Sequence, residues 1–153
     1  MGSFNDKLCL SDWRYRKNRD TIDNRIKKKL KAIYIEREND ILKLAEIQFN
    51  EYFDSKRKEF DIPILMVGTE FQQQVWQSLI KIPYGETSTY LEISESIGNK
   101  KAVRATANAN GANAISIIIP CHRVIGSNKK LVGYAGGLET KKGLLHLEQQ
   151  SIV

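Results

Sequence analysis

The sequence predicts an α+β fold whose second half is mostly helical. Two threonines each precede a helical pattern and are followed three residues later by Gln or Glu: Thr69 with Gln72, and Thr89 with Glu92. This spacing is a capping box, in which each of the two side chains satisfies an exposed backbone donor of the other residue. The apolar, β-branched run ISIII at 115–119 predicts a buried strand or extended segment.

Length and composition indicate an ordinary globular protein. The chain has 153 residues, enough for one medium domain or two small ones, with 41% hydrophobic and 27% charged residues. No apolar run approaches the roughly 20 residues that cross a bilayer. The N-terminus, MGSFNDKLCL, has neither a signal-peptide nor a myristoylation pattern. We therefore expect an intracellular, cytoplasmic protein with no membrane partner.

Cysteine and histidine are scarce, yet one of each is adjacent. The chain contains only Cys9, Cys121, His122 and His146. Their spacing predicts neither a disulfide framework nor a structural zinc site, which usually needs four ligands in short pairs. In the string PCHRV, the pair places a thiol beside an imidazole that can help to remove its proton. From this pair alone, a cysteine hydrolase, another nucleophilic enzyme and a chance adjacency all stay open.

Positive charge is concentrated around this pair. The net charge is +6, and residues 99–142 hold eight of the 24 basic residues but only one of the 18 acidic residues. Such an excess suggests an anionic partner, although many basic proteins bind no nucleic acid. A separate run at 25–31, RIKKKLK, is more typical of a solvated helix face, with a DNA or RNA contact as the alternative.

The N-terminal region shows signs of support rather than of chemistry. Asn39 is placed to cap a helix in which Ile41, Leu44 and Gln48 follow one another at helical steps. After this helix, the polar string DSKRKEFDIP is typical of a connector, because its proline discourages helix in the residue before it. We predict a supporting domain with its connector over residues 1–66 and a second domain over residues 67–153.

The second region contains the pattern of a helix-turn-helix, two short helices joined by a tight turn. The first helix follows Thr89, Gly98 is placed at its C-terminal end, and Asn99 is placed to cap the second, KKAVRATANA. Lys100 and Lys101 oppose the dipole of that helix, so phosphate contacts explain them better than stability does. Its small side chains would let it approach a groove of nucleic acid. The alternative is that an alanine-rich helix is simply stable.

The last part of the chain supplies the thiol, a flexible loop and a final helix. The apolar run ends at Pro120, which delivers Cys121 at a place where the acidity of a thiol can shift. Four glycines between residues 125 and 137 allow the backbone to come close to a ligand. The pattern at 140–148 predicts a helix.

These strings, taken in order, resemble the O6-alkylguanine-DNA alkyltransferase family. The matching strings are GTEFQQQVWQSL, IPYGETSTYLEI, KAVRA, IPCHRVIG and GYAGGLETKKGLLHLE, and they cover residues 67–148. The resemblance implies a small N-terminal α/β domain followed by a mostly helical domain with a winged-helix-like helix-turn-helix. It also implies a DNA repair protein that binds duplex DNA through the minor groove and works as a monomer without a cofactor.

The implied reaction happens once per molecule. The protein flips an O6-alkylguanine out of the duplex, because the reactive atom is inaccessible in the stack, and transfers the alkyl group irreversibly to its own cysteine. O4-alkylthymine is a further possible substrate of such a protein. The alternative within the same resemblance is a DNA-binding protein that recognises alkylated bases without repairing them; relatives of that kind lack the cysteine that is present here.

The resemblance assigns a role to individual residues. Cys121 is the alkyl acceptor, His122 draws off its proton through a bound water, and Glu148 orients His122. Asn113 braces the turn that holds the site, and Tyr90 assists flipping and donates a proton to the departing guanine. Arg104 is expected to fill the gap left by the base. The backbone around Val124, Tyr134 and Ala135 is expected to line the guanine pocket. The other residues expected to bind DNA are Lys100, Lys101 and Arg123.

Overall fold

The computed structural model describes residues 1–150, so the end of the predicted second domain, residues 151–153, lies outside the described residues. Residues 1–150 form six α-helices and two small two-stranded sheets, which confirms the predicted α+β class. Within this range, no helix combines the length and the apolar character that are needed to span a membrane.

The N-terminal half consists of a hairpin followed by two helices. Its elements are β1 (Gly2–Phe4), β2 (Lys7–Leu10), α1 (Arg19–Leu30) and α2 (Asp40–Phe53), with β1 and β2 antiparallel. As predicted, Asn39 caps α2, because its side chain accepts a hydrogen bond from the backbone N–H of Leu42 at 3.0 Å.

The buried face of α2 agrees in part with the predicted helical steps, because Gln48 is buried and Ile41 partly buried. Ala45, Gln48 and Tyr52 are buried, whereas Leu44 lies on the exposed side. The predicted face was ambiguous because apolar residues occur on several sides of this helix, and only packing against the rest of the chain selects one of them. Because Tyr52 lies on the buried face of α2, its side chain points towards the C-terminal half, where its hydroxyl meets Glu148.

The C-terminal half is mostly helical. Its elements are α3 (Glu70–Ile80), β3 (Ser88–Thr89), α4 (Tyr90–Ser96), α5 (Val103–Gly111), β4 (Val124–Ile125) and α6 (Leu138–Gln150). Both predicted capping boxes are confirmed. Thr69 and Gln72 exchange hydrogen bonds at the start of α3, and Thr89 and Glu92 do the same at the start of α4.

Helices α4 and α5 form the predicted helix-turn-helix. Gly98 adopts a left-handed conformation with φ of 75° directly after α4, as a C-terminal glycine does. The prediction that the side chain of Asn99 caps the second helix is wrong. A turn of 3-10 helix, Lys100–Ala102, separates Asn99 from the start of α5. Asn99 begins this turn with its backbone, because its carbonyl accepts a hydrogen bond from the N–H of Ala102.

The run at 115–119 is buried as predicted, but it forms a tight turn rather than a strand. Ile115 bridges to Ser11 of the N-terminal half, and Ile119 donates its N–H to the carbonyl of Ile115 at 3.0 Å. Ile117 at the tip has a φ of 74°, a conformation that costs a β-branched residue energy. The apolar content of this run predicts that it is buried. It does not predict the turn, which depends on contacts with Asn113 and with Ser11 of the N-terminal half.

Contacts across the chain place this turn beside the helix-turn-helix. Strand β3, just before α4, pairs in parallel with β4, just after the turn. The two halves also meet directly at the bridge between Ser11 and Ile115. The bridge between Leu8 of β2 and Ile64, in contrast, holds the end of the N-terminal region against its own hairpin. The core around Trp76, Leu79 and Ile93 supports both sides of this arrangement. The division into two domains at residue 66 stays a prediction.

Candidate active site

Cys121 lies at the inner end of a cavity. It follows Pro120 and begins a short 3-10 turn, Cys121–Arg123, and its side chain is only 3% exposed. The cavity has a volume of about 510 Å³ and opens between the helix-turn-helix and the loop before α6. Burial raises the pKa of the thiol, and a hydrogen bond from Asn113 only partly opposes that effect. The sulfur therefore needs a proton acceptor before it can act as a nucleophile.

Asn113 connects the sulfur to the turn that precedes it. Its Nδ2 donates to the Sγ of Cys121 at 3.2 Å and to the carbonyl of Ile119 at 2.9 Å. Its Oδ1 accepts from the N–H of Ile115 at 2.9 Å. One buried side chain thus fixes both ends of the apolar turn and contacts the thiol, an arrangement that supports the bracing role implied by the resemblance.

His122 is fully buried beside Cys121 and pairs with Glu148 of α6. Its Nε2 lies 2.7 Å from Oε1 of the carboxylate, while its Nδ1 has no hydrogen-bond partner among the described residues. Burial lowers the pKa of His122 more than the carboxylate raises it. The neutral imidazole therefore donates through Nε2 and keeps a lone pair on Nδ1, which is the form needed to accept a proton.

Glu148 stays ionised because several donors surround it. Burial alone would raise its pKa, but hydrogen bonds from His122 and Arg123 outweigh burial and lower the pKa to about 2. The remaining donors are the hydroxyl of Tyr52 at 2.7 Å and the N–H of Gly85 at 3.1 Å. A fully buried carboxylate with this set of donors is a fixed negative charge next to His122.

Arg123 points into the protein, which argues against the expectation that it binds DNA. It is only 7% exposed and donates two hydrogen bonds to Glu148, from Nε at 2.9 Å and from Nη2 at 3.0 Å, and a third to the carbonyl of Ile82. The guanidinium neutralises the buried carboxylate, so its charge is not available to a phosphate.

Three of the predicted pocket residues line the cavity and one does not. Tyr90, the first residue of α4, faces the cavity together with Tyr134 and Ala135. Burial raises the pKa of Tyr90, so its hydroxyl keeps the proton it would donate. Val124 is fully buried and absent from the lining, and its carbonyl accepts from Lys141 instead. The expectation that the backbone of Val124 lines the pocket is therefore corrected.

Lys141 is a buried lysine that sequence reasoning counted only as part of the basic excess. Its Nζ donates to the carbonyls of Val124, Val132 and Gly133, and burial lowers its pKa to about 8. These bonds tie α6 to the glycine-containing loop, whose residues Gly133 to Gly137 form one wall of the cavity. Lys141 therefore holds this loop in place.

The N-terminal half supplies cavity residues that no motif indicated. Tyr15, Arg16 and Lys17 line the mouth, and the Nε1 of Trp13 donates to the hydroxyl of Tyr134 at 3.1 Å. The only signal for them in the sequence is the short basic string RYRKNR. The half expected to give support alone thus also contributes to the wall.

The residues expected to meet DNA lie on the surface at the start of α5. Lys101 and Arg104 are exposed, and Lys100 forms an exposed ion pair with Glu95 at 2.8 Å. Arg104 precedes the cavity-lining Ala107 by one helical turn, so its side chain lies on the same side of α5 as the cavity mouth. Between residues 1 and 150, no three His, Cys, Asp or Glu side chains are grouped to hold a metal ion.

Comparisons with known proteins show which family this chain resembles. A family model described as 6-O-methylguanine DNA methyltransferase, DNA binding domain, matches residues 70–150. The chain is 56% identical over 104 residues to the methylated-DNA–protein-cysteine methyltransferase of Methanosarcina acetivorans, covering 68% of this chain and 67% of the relative. It is 50% identical over 108 residues to the constitutive methylated-DNA–protein-cysteine methyltransferase of Bacillus subtilis, covering 70% and 66% of the two chains.

The likeness extends to solved structures. The crystal structure of Mycobacterium tuberculosis OGT in complex with DNA superposes with a TM-score of 0.84 at 38% identity, covering 98% of this chain and 85% of the other. O6-methylguanine-DNA methyltransferase from the archaeon Pyrococcus kodakaraensis, 23% identical, shares the fold with a TM-score of 0.65, covering 84% and 75% of the two chains.

Proposed function

Because the chain belongs to the 6-O-methylguanine DNA methyltransferase family, we propose that it repairs DNA by transferring an alkyl group from the O6 atom of guanine to Cys121. The observation that carries the proposal is a buried thiol at the end of a cavity, next to a neutral imidazole that is paired with a buried carboxylate. The other cysteine, Cys9, is buried in a separate apolar cluster with Leu10, Ile22 and Ile26.

The proposed reaction begins with proton removal from the thiol. His122 takes the proton of Cys121 at Nδ1, through a bridging water, and the charge of the resulting imidazolium is balanced by Glu148. The thiolate attacks the alkyl carbon, so a sulfur–carbon bond forms while the carbon–O6 bond breaks and its electron pair stays on the guanine. Tyr90 donates a proton to the guanine ring, and the proton that His122 took from the thiol then passes to the Tyr90 phenolate, so that both side chains return to their neutral forms.

The position of the sulfur supports base flipping as a step of the proposed reaction. With only 3% of its surface exposed, Cys121 cannot reach a base that remains stacked in a duplex, so the guanine has to enter the cavity. Tyr90, which lines the cavity, would assist this step, and the exposed Arg104, one helical turn before the cavity-lining Ala107, would fill the gap left by the base. We expect minor-groove docking of the helix-turn-helix, a monomer, an intracellular location and activity on O4-alkylthymine as further properties of this function.

The test uses duplex DNA that carries one O6-methylguanine. The protein is expected to gain the mass of one transferred methyl group while the DNA loses its methyl group. Cys121→Ala is expected to bind the same duplex and gain no mass, whereas the matched variant Cys9→Ala behaves like the wild type.

Two results would contradict the proposal. Binding of the methylated duplex by the wild-type protein without any gain of mass would favour the recognition protein that performs no repair. Repeated turnover of an ester or amide substrate that depends on Cys121 would favour a cysteine hydrolase.

A further inference from the structure

We propose that Tyr52, on a helix of the N-terminal half, is a positioning residue that holds Glu148 and limits how strongly this carboxylate attracts the proton of His122. The inference rests on the proposed function, and it extends that function to a residue outside the matched family region, which covers 70–150. It gives the N-terminal half a part in proton transfer.

The hydroxyl of Tyr52 and the imidazole of His122 share one oxygen atom. Tyr52 Oη donates to Oε1 of Glu148 at 2.7 Å, and Nε2 of His122 meets the same Oε1 at 2.7 Å. Both side chains are fully buried, so no bulk solvent competes for either bond. Burial and the neighbouring carboxylate raise the pKa of Tyr52, so the phenol keeps its proton and acts as a donor.

Sharing the oxygen weakens its attraction for each donor. Oε1 also accepts a bond from Nη2 of Arg123 at 3.0 Å, so three donors draw on one atom. A charge-assisted hydrogen bond polarises the acceptor and leaves less negative charge for the others. The bond from Tyr52 therefore lowers the basicity that Glu148 confers on His122, and it fixes the direction in which Oε1 points.

The cationic groups around His122 act on its pKa in the same direction as Tyr52, and Tyr52→Phe leaves them in place. The titratable and charged groups that face His122 and Glu148 are Arg123, Tyr52, Lys141, Tyr84 and Tyr134. Arg123 and Lys141 are cations that lower the pKa of His122 through space, and Tyr134 only contacts its ring. Of the tyrosines, only Tyr52 has a hydrogen bond to the carboxylate among the described residues.

A neighbouring tyrosine provides a matched control. The ring of Tyr84 packs against that of Tyr52 with a centroid distance of 6.1 Å, and the guanidinium of Arg123 lies over it. Its hydroxyl is buried as well, but it has no hydrogen-bond partner within residues 1–150. Tyr84→Phe therefore removes a buried hydroxyl from the same cluster without touching the bonds of Glu148, whereas Tyr52→Phe removes the bond and keeps the ring packing.

The experiment measures the pKa of His122 by NMR titration of histidine ring nuclei in the full chain. The chain has only two histidines, and the exposed His146 serves as an internal reference. In Tyr52→Phe we expect the pKa of His122 to rise by on the order of one pH unit, because Oε1 is freed for the imidazolium. Tyr84→Phe leaves the pKa of His122 unchanged.

The same variants are then compared in single-turnover transfer from methylated duplex. The acid limb of the pH–rate profile is expected to move upward with the pKa of His122, so the rate constant on that limb falls about tenfold in Tyr52→Phe. Affinity for undamaged duplex is unchanged. A merely structural role of Tyr52 would lower stability and would leave the pKa of His122 where it is.

A second variant covers the case in which Tyr52→Phe does not fold. 3-Fluorotyrosine at position 52 keeps the volume and makes the phenol a stronger donor, so we expect the opposite effect, a lower pKa of His122. An unchanged pKa in the folded variants, or an equal shift in Tyr84→Phe, would overturn the inference. If the NMR shift is found but the wild-type protein transfers no alkyl group, the proposed function fails while the positioning role of Tyr52 stands.

Discussion

Glu148 and His122 form a hydrogen bond of 2.7 Å in which both side chains are fully shielded from solvent. The bond joins the last helix to the turn that carries Cys121. The same carboxylate also neutralises the buried guanidinium of Arg123. Glu148 therefore orients His122, the proposed proton acceptor, and also stabilises the packing of this region. Changes at Glu148 should therefore affect stability and alkyl transfer together.

Replacing Glu148 by Gln should reduce both properties. The change leaves Arg123 buried without a counter-ion, a defect that typically costs about 3–5 kcal/mol of unfolding free energy. Alkyl transfer should slow because His122 loses the charge that balances its protonated form. Chemical denaturation and single-turnover kinetics measure the two effects. Glu139→Gln, at an exposed position of the same helix, is the control, and wild-type stability in Glu148→Gln would contradict the assignment.

Ionisation of Glu148 should make the stability of the protein depend on pH. The pKa of Glu148 is about 2 in the folded protein against an ordinary value of 4.5, so the unfolded chain binds this proton more readily. The resulting stabilisation, about 3 kcal/mol, is complete above pH 4.5 and is lost as the pH falls towards 2. Denaturation of the wild type and Glu148→Gln across this range should show the difference between them shrinking on acidification. A constant difference would be inconsistent with a depressed pKa.

Replacing Asn113 by Ala should make the thiol less acidic and the turn less stable. The hydrogen bond from Asn113 lowers the pKa of Cys121, whereas burial raises it. Without the bond, the pKa of the thiol should therefore rise. The buried groups of the turn also lose their partners, at a cost of about 1–3 kcal/mol for each unsatisfied group. The pH dependence of the reaction with a thiol reagent reports the first effect, with the exposed Asn108→Ala as the control. An unchanged or lower pKa of Cys121 would argue against this role.

Replacing Arg104 by Ala should impair repair of duplex DNA more than reaction with a free alkylguanine base. A free base needs no flipping, so an exposed side chain near the cavity mouth should matter only for the duplex. Rate constants for the two substrates give the comparison, and Lys43→Ala, exposed on α2, controls for the loss of a positive charge. Equal losses on both substrates would show that Arg104 does not act in flipping.

Local signals predicted the fold well. The capping boxes at Thr69 and Thr89 and the glycine after α4 depend on neighbours within four residues, and each is confirmed. Asn99 failed as a cap because a turn of 3-10 helix came first. The run at 115–119 was correctly expected to be buried, but its turn depends on Asn113 and on Ser11, which is more than 100 residues away.

Distant contacts decide what sequence reasoning missed in the site. The ordered motifs pointed to Cys121, His122 and Glu148, and in the structure His122, next to Cys121 in the chain, forms a hydrogen bond with Glu148. No motif indicated that Arg123 would turn inward or that Tyr52, 96 positions from Glu148, would complete the carboxylate site. Charge counting cannot separate a buried cation from an exposed one, because the distinction arises only when the chain packs.

The most direct test of the central claim is the stoichiometry of repair with methylated duplex in excess. Single transfer to Cys121 predicts that repair stops when one guanine has been restored for each protein chain, and that peptide mapping finds the methyl group on the Cys121 peptide and none on the Cys9 peptide. Repair that continues beyond one guanine per chain, or a methyl group found at another residue, would contradict the claim.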